Sequence, residues 1–203
     1  GPPLRVMAGR PRVVVVGGFA GIYPVLKALE ELNVQHDAVV GDSAGAIVGA
    51  LWLAGHRAKA IEAMLNDEPL WWHWLDWADD FSLRLRGDAF AQWARLRAAP
   101  QLQILSKRFA AVATDAATGG SAAFTQGDLG RALHASSATP ALFAPARIDG
   151  RAYVDGDRSS PVPVHAARAL GAQRVIAVDV SARLESTPPD VPLEWREGDV
   201  RMR

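Results

Sequence analysis

The stretch Gly41-Asp42-Ser43-Ala44-Gly45 constrains this chain more than any other. It reads G-x-S-x-G. A strand-like run, Ala38-Val39-Val40, leads into it, and a small apolar helix-like run from Ala44 to Ala54 leaves it. A chain passing from strand to helix in so little space bends sharply at the serine. Side chains in place of the flanking glycines would collide with neighbouring backbone. The serine is thereby pushed up as an exposed nucleophile. The N–H groups and positive dipole end of the following helix point at the same spot, where an oxyanion forms during acyl transfer. The five-residue pattern recurs by chance; the strand before it and the helix after it lend it a mechanism.

With 203 residues the chain can bury the core of one domain. Hydrophobic residues make up 49% and the formal net charge is zero, the balance of a globular protein rather than a disordered or polybasic one. No dense basic patch interleaved with aromatics points to nucleic acid. Without cysteine there are no disulfides, thiolates or cysteine-held zinc. The longest apolar stretch, Ala44 to Gly55, is about half of the roughly 20 residues a bilayer span needs. The opening Gly1-Pro2 reads as a cleavage scar, and residues 1–10 as a disordered or tag-derived start. A cytoplasmic location is the default, since a removed signal peptide leaves no trace.

Val13 to Val16 is a β-branched run ending in Gly17-Gly18, the pattern of a buried parallel strand. Val25, Leu26, Leu29 and Leu32 recur at helical spacing, with Lys27, Glu30 and Glu31 facing out and Pro24 in the first turn. This strand–Gly-loop–helix–strand–Ser-turn–helix order predicts an open α/β sheet. Residues 58 to 100 favour helix and are rich in tryptophan and arginine. Phe109 to Thr114 reads as a strand, Asp115 to Gly120 as a turn and Ser121 to Thr125 as the returning strand. A helix starts at Gly127-Asp128-Leu129. Asp149-Gly150 between Ala146-Arg147-Ile148 and Ala152-Tyr153-Val154 signals a hairpin. Val162 to Leu170 reads as a helix and Arg174 to Val180 as another buried strand. The whole, 1–203, reads as one domain whose end, 184–203, is Pro-rich and then charged.

A serine needs a base and oxyanion donors. The candidate base is Asp155 in Tyr153-Val154-Asp155-Gly156-Asp157, at a strand end next to a glycine turn. The candidate donors are the backbone N–H groups of Gly17, Gly18 and Phe19, with that of Ala44. Here the chain resembles the patatin-like phospholipases, in particular the small bacterial members. Gly41-Asp42-Ser43-Ala44-Gly45 is similar to that family's nucleophile elbow and Asp155-Gly156 to its D-G-G/A motif. Between them, Val112 to Gly119 resembles its A-T-D-x-x-T-G segment, and Ala135 to Phe143 (Ala-Ser-Ser-Ala-Thr-Pro-Ala-Leu-Phe) its A-S-x-x-x-P-x-x-F segment. Pro161-Val162-Pro163-Val164 resembles its N-P-x-P turn. Five matches in order are far more specific than any one.

The resemblance implies a three-layer α/β/α fold around a mainly parallel sheet. It also implies a Ser-Asp dyad without histidine, with Ser43 as nucleophile and Asp155 as base. An ordinary carboxylate is a weak base for a hydroxyl, so direct contact and partial burial are expected. The chain departs from the family pattern in three places. Gly17-Gly18-Phe19-Ala20-Gly21 holds no basic residue and is about two residues short. Asp157 stands where Gly or Ala is usual, and Ser160 where Asn is usual. Arg203 follows soon after a Pro-rich stretch where family members continue, as in a trimmed piece.

The expected activity is hydrolysis of lipid or other fatty-acyl esters through an acyl-enzyme, with no cofactor and no metal. Transient contact with a membrane surface is expected, and no nucleic acid. Two rivals share the scaffold: acyl transfer to an acceptor other than water, and lipid binding without catalysis. His165 would complete a Ser, Asp, His order, but it falls inside a predicted helix ten positions after Asp155. Asp115 reads as a cap of its own turn. Trp71, Trp72, Trp74 and Trp77 lie in a helix-like insert and leave two readings open. They are core-facing, or they form a lid or acyl-chain wall at the substrate site.

Overall fold

A computed structural model describes residues 12–17, 22–66, 73–159, 163–172, 174–179 and 199–202. The first half alternates strand and helix: β1 (Arg12–Gly17), α1 (Ile22–Glu31), β2 (Ala38–Asp42) and α2 (Ser43–Leu53). Helices α3 (Ala58–Asn66) and α4 (Asp88–Arg97) follow, then β3 (Arg108–Asp115), β4 (Ser121–Phe124) and α5 (Leu129–Ser137). The chain closes with the hairpin β5 (Ala146–Ile148) and β6 (Arg151–Asp155), then α6 (Val164–Ala169), β7 (Arg174–Asp179) and β8 (Asp199–Met202).

These strands form one eight-stranded sheet in the order β5-β6-β3-β2-β1-β7-β8, with β4 also on β3. The run from β3 to β8 is parallel, while β4, β5 and β6 pair antiparallel. The alternation of the strands sorts the layers. Val39, Phe109 and Ala111 point into a large core with α1 to α5, whereas Val40, Ala110 and Val112 point into a smaller one with Ala167 of α6. Helices cover both faces, which is why the central strands are apolar throughout rather than every second residue. The expected three-layer α/β/α arrangement is the observed one. Among the described residues no helix is long and apolar enough to cross a membrane.

Three local expectations need correcting, and one further strand is added. Leu32 is 75% exposed because α1 stops at Glu31 and the chain reverses through Asn33 at φ 49; Val34 packs against the core instead. Glu30 does not face out. Its carboxylate accepts from Trp52 Nε1 at 3.1 Å and from the Ala58 N–H at 2.8 Å, joining α1 to α2 and α3. The region between α3 and α4 is not a continuous helix: Trp77 makes an antiparallel bridge with Leu85. The charged end of the chain holds a strand, β8, paired parallel to β7.

Gly87 shows how closely the helices pack. It sits at φ 94 before α4, and a Cβ there would run into the ring of His134. With no side chain at Gly87 to cap the helix, Asp76 does so from upstream, accepting from Gly87 N at 3.0 Å and Ala89 N at 2.8 Å. Gly87→Ala combines a strained φ with an overpacked core and should lower the thermal midpoint by roughly 5–15 °C. Calorimetry tests this; an unchanged midpoint would mean the turn and the ring shift together without cost.

Candidate active site

The site arises where two strands meet end to end. Residues 113 and 114 of β3 pair with β4 on one edge and β6 on the other, and residues 111 and 112 pair with β4 and β2. Strands β2 and β6 therefore share an edge of β3. Asp42 is level with Val112, and Asp155 with the next residue, Ala113. The residue that follows β2 is Ser43, so two positions far apart in sequence are brought together.

Close approach at this junction requires glycine. A Cβ on Gly156 would run into the Val112 carbonyl and lie 3.2 Å from the Cβ of Asp42, which is fully buried. A Cβ on Gly41 would lie 2.7 Å from the Ala46 backbone, so the strand could not turn into α2. Ser43 takes φ 51, a left-handed conformation that costs a non-glycine residue about 1–3 kcal/mol. Two serines at the end of α5 hold it there. Ser136 Oγ accepts from the Ser43 N–H at 3.0 Å and donates to the Val112 carbonyl at 2.6 Å. Ser137 Oγ donates to the Ser43 carbonyl at 3.2 Å.

The outcome is direct contact. Ser43 Oγ donates to Asp155 Oδ2 at 2.8 Å, and Asp155 is 6% exposed. Thr139 Oγ1 donates to the same oxygen at 2.9 Å, and the Asp157 N–H to Oδ1 at 2.9 Å. Thr114 Oγ1 holds the Asp155 carbonyl at 2.8 Å. Every edge of the carboxylate is thus oriented. Position 157 serves through its backbone while its side chain is exposed, which explains how an acid is accommodated there.

Of the candidate oxyanion donors, Ala44 lies in the first turn of α2, where the helix offers its N–H no carbonyl. Gly17 closes β1, and the register Val16↔Gly41 places it at the same sheet end as Ser43. Gly18 and Phe19 lie outside the described residues, as do Trp71 and Trp72. The other two tryptophans part company. Trp74 packs edge-on against Phe90, with ring centroids 4.9 Å apart, in the aromatic core, while Trp77 is 58% exposed.

Histidine takes no part in the contacts of Ser43 and Asp155. His165 is exposed on α6. His134 is buried, its Nε2 donating to the Ala144 carbonyl at 3.0 Å, and burial pulls its pKa below the ordinary imidazole range. Asp115 caps its own turn through Ala117 N at 2.9 Å and Thr118 N at 3.2 Å, and these N–H groups hold its carboxyl below the usual range.

Sequence reasoning missed Ser136, Ser137, Thr139 and Thr114 as parts of the site. A signal was present: consecutive serines close a helix rich in small and apolar residues, and buried hydroxyls need partners.

An open α/β sheet carrying a strained strand–serine–helix turn beside a buried aspartate defines a narrow class of proteins. The family model for patatin-like phospholipase matches residues 17–168, and the chain belongs to that family. An NTE family protein of Mycobacterium tuberculosis is 31% identical over 218 residues, covering 98% of this chain and 58% of the relative. Patatin-like phospholipase domain-containing protein 6 of Homo sapiens is 30% identical over 200 residues, covering 90% of this chain and 14% of that protein. The chain thus spans 58% of the length of the mycobacterial relative and far less of the human one. The structure of VipD from Legionella pneumophila shares the fold, with a TM-score of 0.60 at 15% identity over 72% of this chain and 45% of that one.

Proposed function

We propose that the chain is a serine acyl hydrolase acting on lipid or other fatty-acyl esters through Ser43 and Asp155. The observation that carries this reading is the 2.8 Å hydrogen bond from Ser43 Oγ to Asp155, with the serine pinned in a strained conformation at a helix start. Family membership favours a lipid substrate.

Ser43 Oγ attacks the ester carbonyl carbon as its proton passes to Asp155 Oδ2. The carbonyl oxygen becomes an oxyanion, met by the Ala44 N–H and by N–H groups of the Gly17–Phe19 segment. The intermediate collapses, the C–O bond to the alcohol breaks, and the leaving oxygen takes the proton from Asp155. Water then attacks the acyl-enzyme while Asp155 accepts its proton. The second collapse releases the acid and restores Ser43. The Ser43 N–H is held by Ser136, so it is not counted among the oxyanion donors.

A fluorophosphonate probe with the modified residue mapped tests the reading. Ser43 should be labelled; no labelling, or labelling elsewhere, would sink it. A finer expectation concerns Thr139, whose hydroxyl keeps Asp155 Oδ2 facing the serine. Thr139→Val should reduce ester turnover by about ten- to hundredfold, as loss of a hydrogen bond to a charged group implies, with Thr139→Ser close to wild type. Equal rates for valine and serine would remove the hydroxyl from the mechanism.

A further inference from the structure

Residues 76–86 hold apolar side chains in water. Phe81 is 97% exposed, Leu83 83% and Trp77 58%. Phe81 and Leu83 each stand at φ 57, a left-handed conformation that suits glycine or asparagine and costs a bulky residue. The loop is nevertheless well tied. The Ala78 N–H donates to the Arg84 carbonyl at 2.9 Å and the Arg86 N–H to the Asp76 carbonyl at 2.6 Å. Arg84 bonds Asp80 at 2.9 Å and Ser82 Oγ at 3.0 Å across the tip.

The same loop is fastened to the candidate site. Leu85 donates to the Leu142 carbonyl and accepts from the Ala144 N–H, each at 2.8 Å. The segment it grips begins at Thr139, whose hydroxyl touches Asp155, and includes Leu142, itself 48% exposed. The apolar tip and the candidate dyad thus belong to one hydrogen-bonded unit.

The charges decide what kind of surface fits. The tip carries Asp79 and Asp80, and both arginines of the loop are engaged, Arg84 by Asp80 at 2.9 Å and Arg86 by Asp88 at 2.8 Å. Nothing there attracts an anionic headgroup. Two large apolar side chains held outward on a tied loop match the acyl layer beneath neutral headgroups. We infer that this loop docks the protein on a zwitterionic phospholipid surface by inserting Phe81 and Leu83. Its purpose, delivery of the site to acyl esters in that surface, rests on the function proposed above; the docking itself is measured independently.

The experiment is flotation with phosphatidylcholine vesicles, comparing wild type with the Phe81→Asn/Leu83→Asn double variant. Asparagine accepts the left-handed φ, so the variant keeps its fold. Its partition into vesicles should fall about tenfold or more, given the apolar area withdrawn from lipid. Wild-type binding should resist added salt and gain nothing from phosphatidylserine. Turnover of a soluble short-chain ester should match in the two proteins. Equal partition of both proteins would overturn the inference. So would wild-type binding that needs anionic lipid and vanishes in salt. Self-association lost in the variant, with no vesicle binding by wild type, would place a second copy on the tip and overturn it too. Vesicle binding through these residues without any ester turnover would count against the proposed hydrolysis and leave the docking standing.

Discussion

Ser43→Ala should lower ester turnover by a factor on the order of 10⁴–10⁶, as loss of a catalytic nucleophile does. The fold should survive, because Ser136 and Ser137 hold the backbone N–H and carbonyl of position 43 rather than its side chain. Alanine keeps the cost of φ 51, whereas Ser43→Gly relieves it. Glycine should therefore give a protein that is inactive and, by about 1 kcal/mol or more, more stable than the alanine variant. Thermal melts beside ester assays check both halves. Hydrolysis near the wild-type rate in either variant would exclude Ser43 as nucleophile. A glycine variant no more stable than alanine would mean the elbow stores no strain.

Asp155→Asn should cost on the order of 10³–10⁴ in turnover and spare the fold. The amide has the shape of the carboxylate. One oxygen can still accept from the Asp157 N–H at the position now 2.9 Å away, while the amide nitrogen faces the hydroxyls of Ser43 and Thr139, which can accept. What is lost is a group able to take the serine proton. Fluorophosphonate labelling of Ser43 should slow in parallel. Asp155→Ala is the harsher change. It leaves the Thr139 hydroxyl and the Asp157 N–H without their acceptor and empties the space of a buried side chain, and should cost stability as well. An asparagine variant with wild-type turnover would remove Asp155 as the base.

Much of the fold was legible because it is written in short-range chemistry. β-branched residues mark β1 and β2, an apolar run marks β3, and helical spacing marks α1. Asp149-Gly150 marks the β5–β6 hairpin, where φ values of 50 and 77 are those its turn needs. Where local reading failed, a tertiary partner had outweighed propensity. Glu30 turns inward because Trp52 and the start of α3 offer it donors. The tryptophan insert is not one helix because Trp77 pairs with Leu85 while Trp74 joins the aromatic core.

For the site, the sequence by itself determined a sharp turn at Ser43 and a carboxylate at a strand end. It could not state that they meet. That follows from the pairing of β3, which seats the ends of β2 and β6 on adjacent positions of one edge and brings together residues 112 apart. Nor could it give the hydroxyls of Ser136, Ser137 and Thr139 their tasks, since these depend on how the end of α5 docks on the elbow. Steric limits on φ and ψ act over a few residues and can be read along the chain. Strand pairing and helix docking are settled by the burial of the whole core, and only the folded chain decides them.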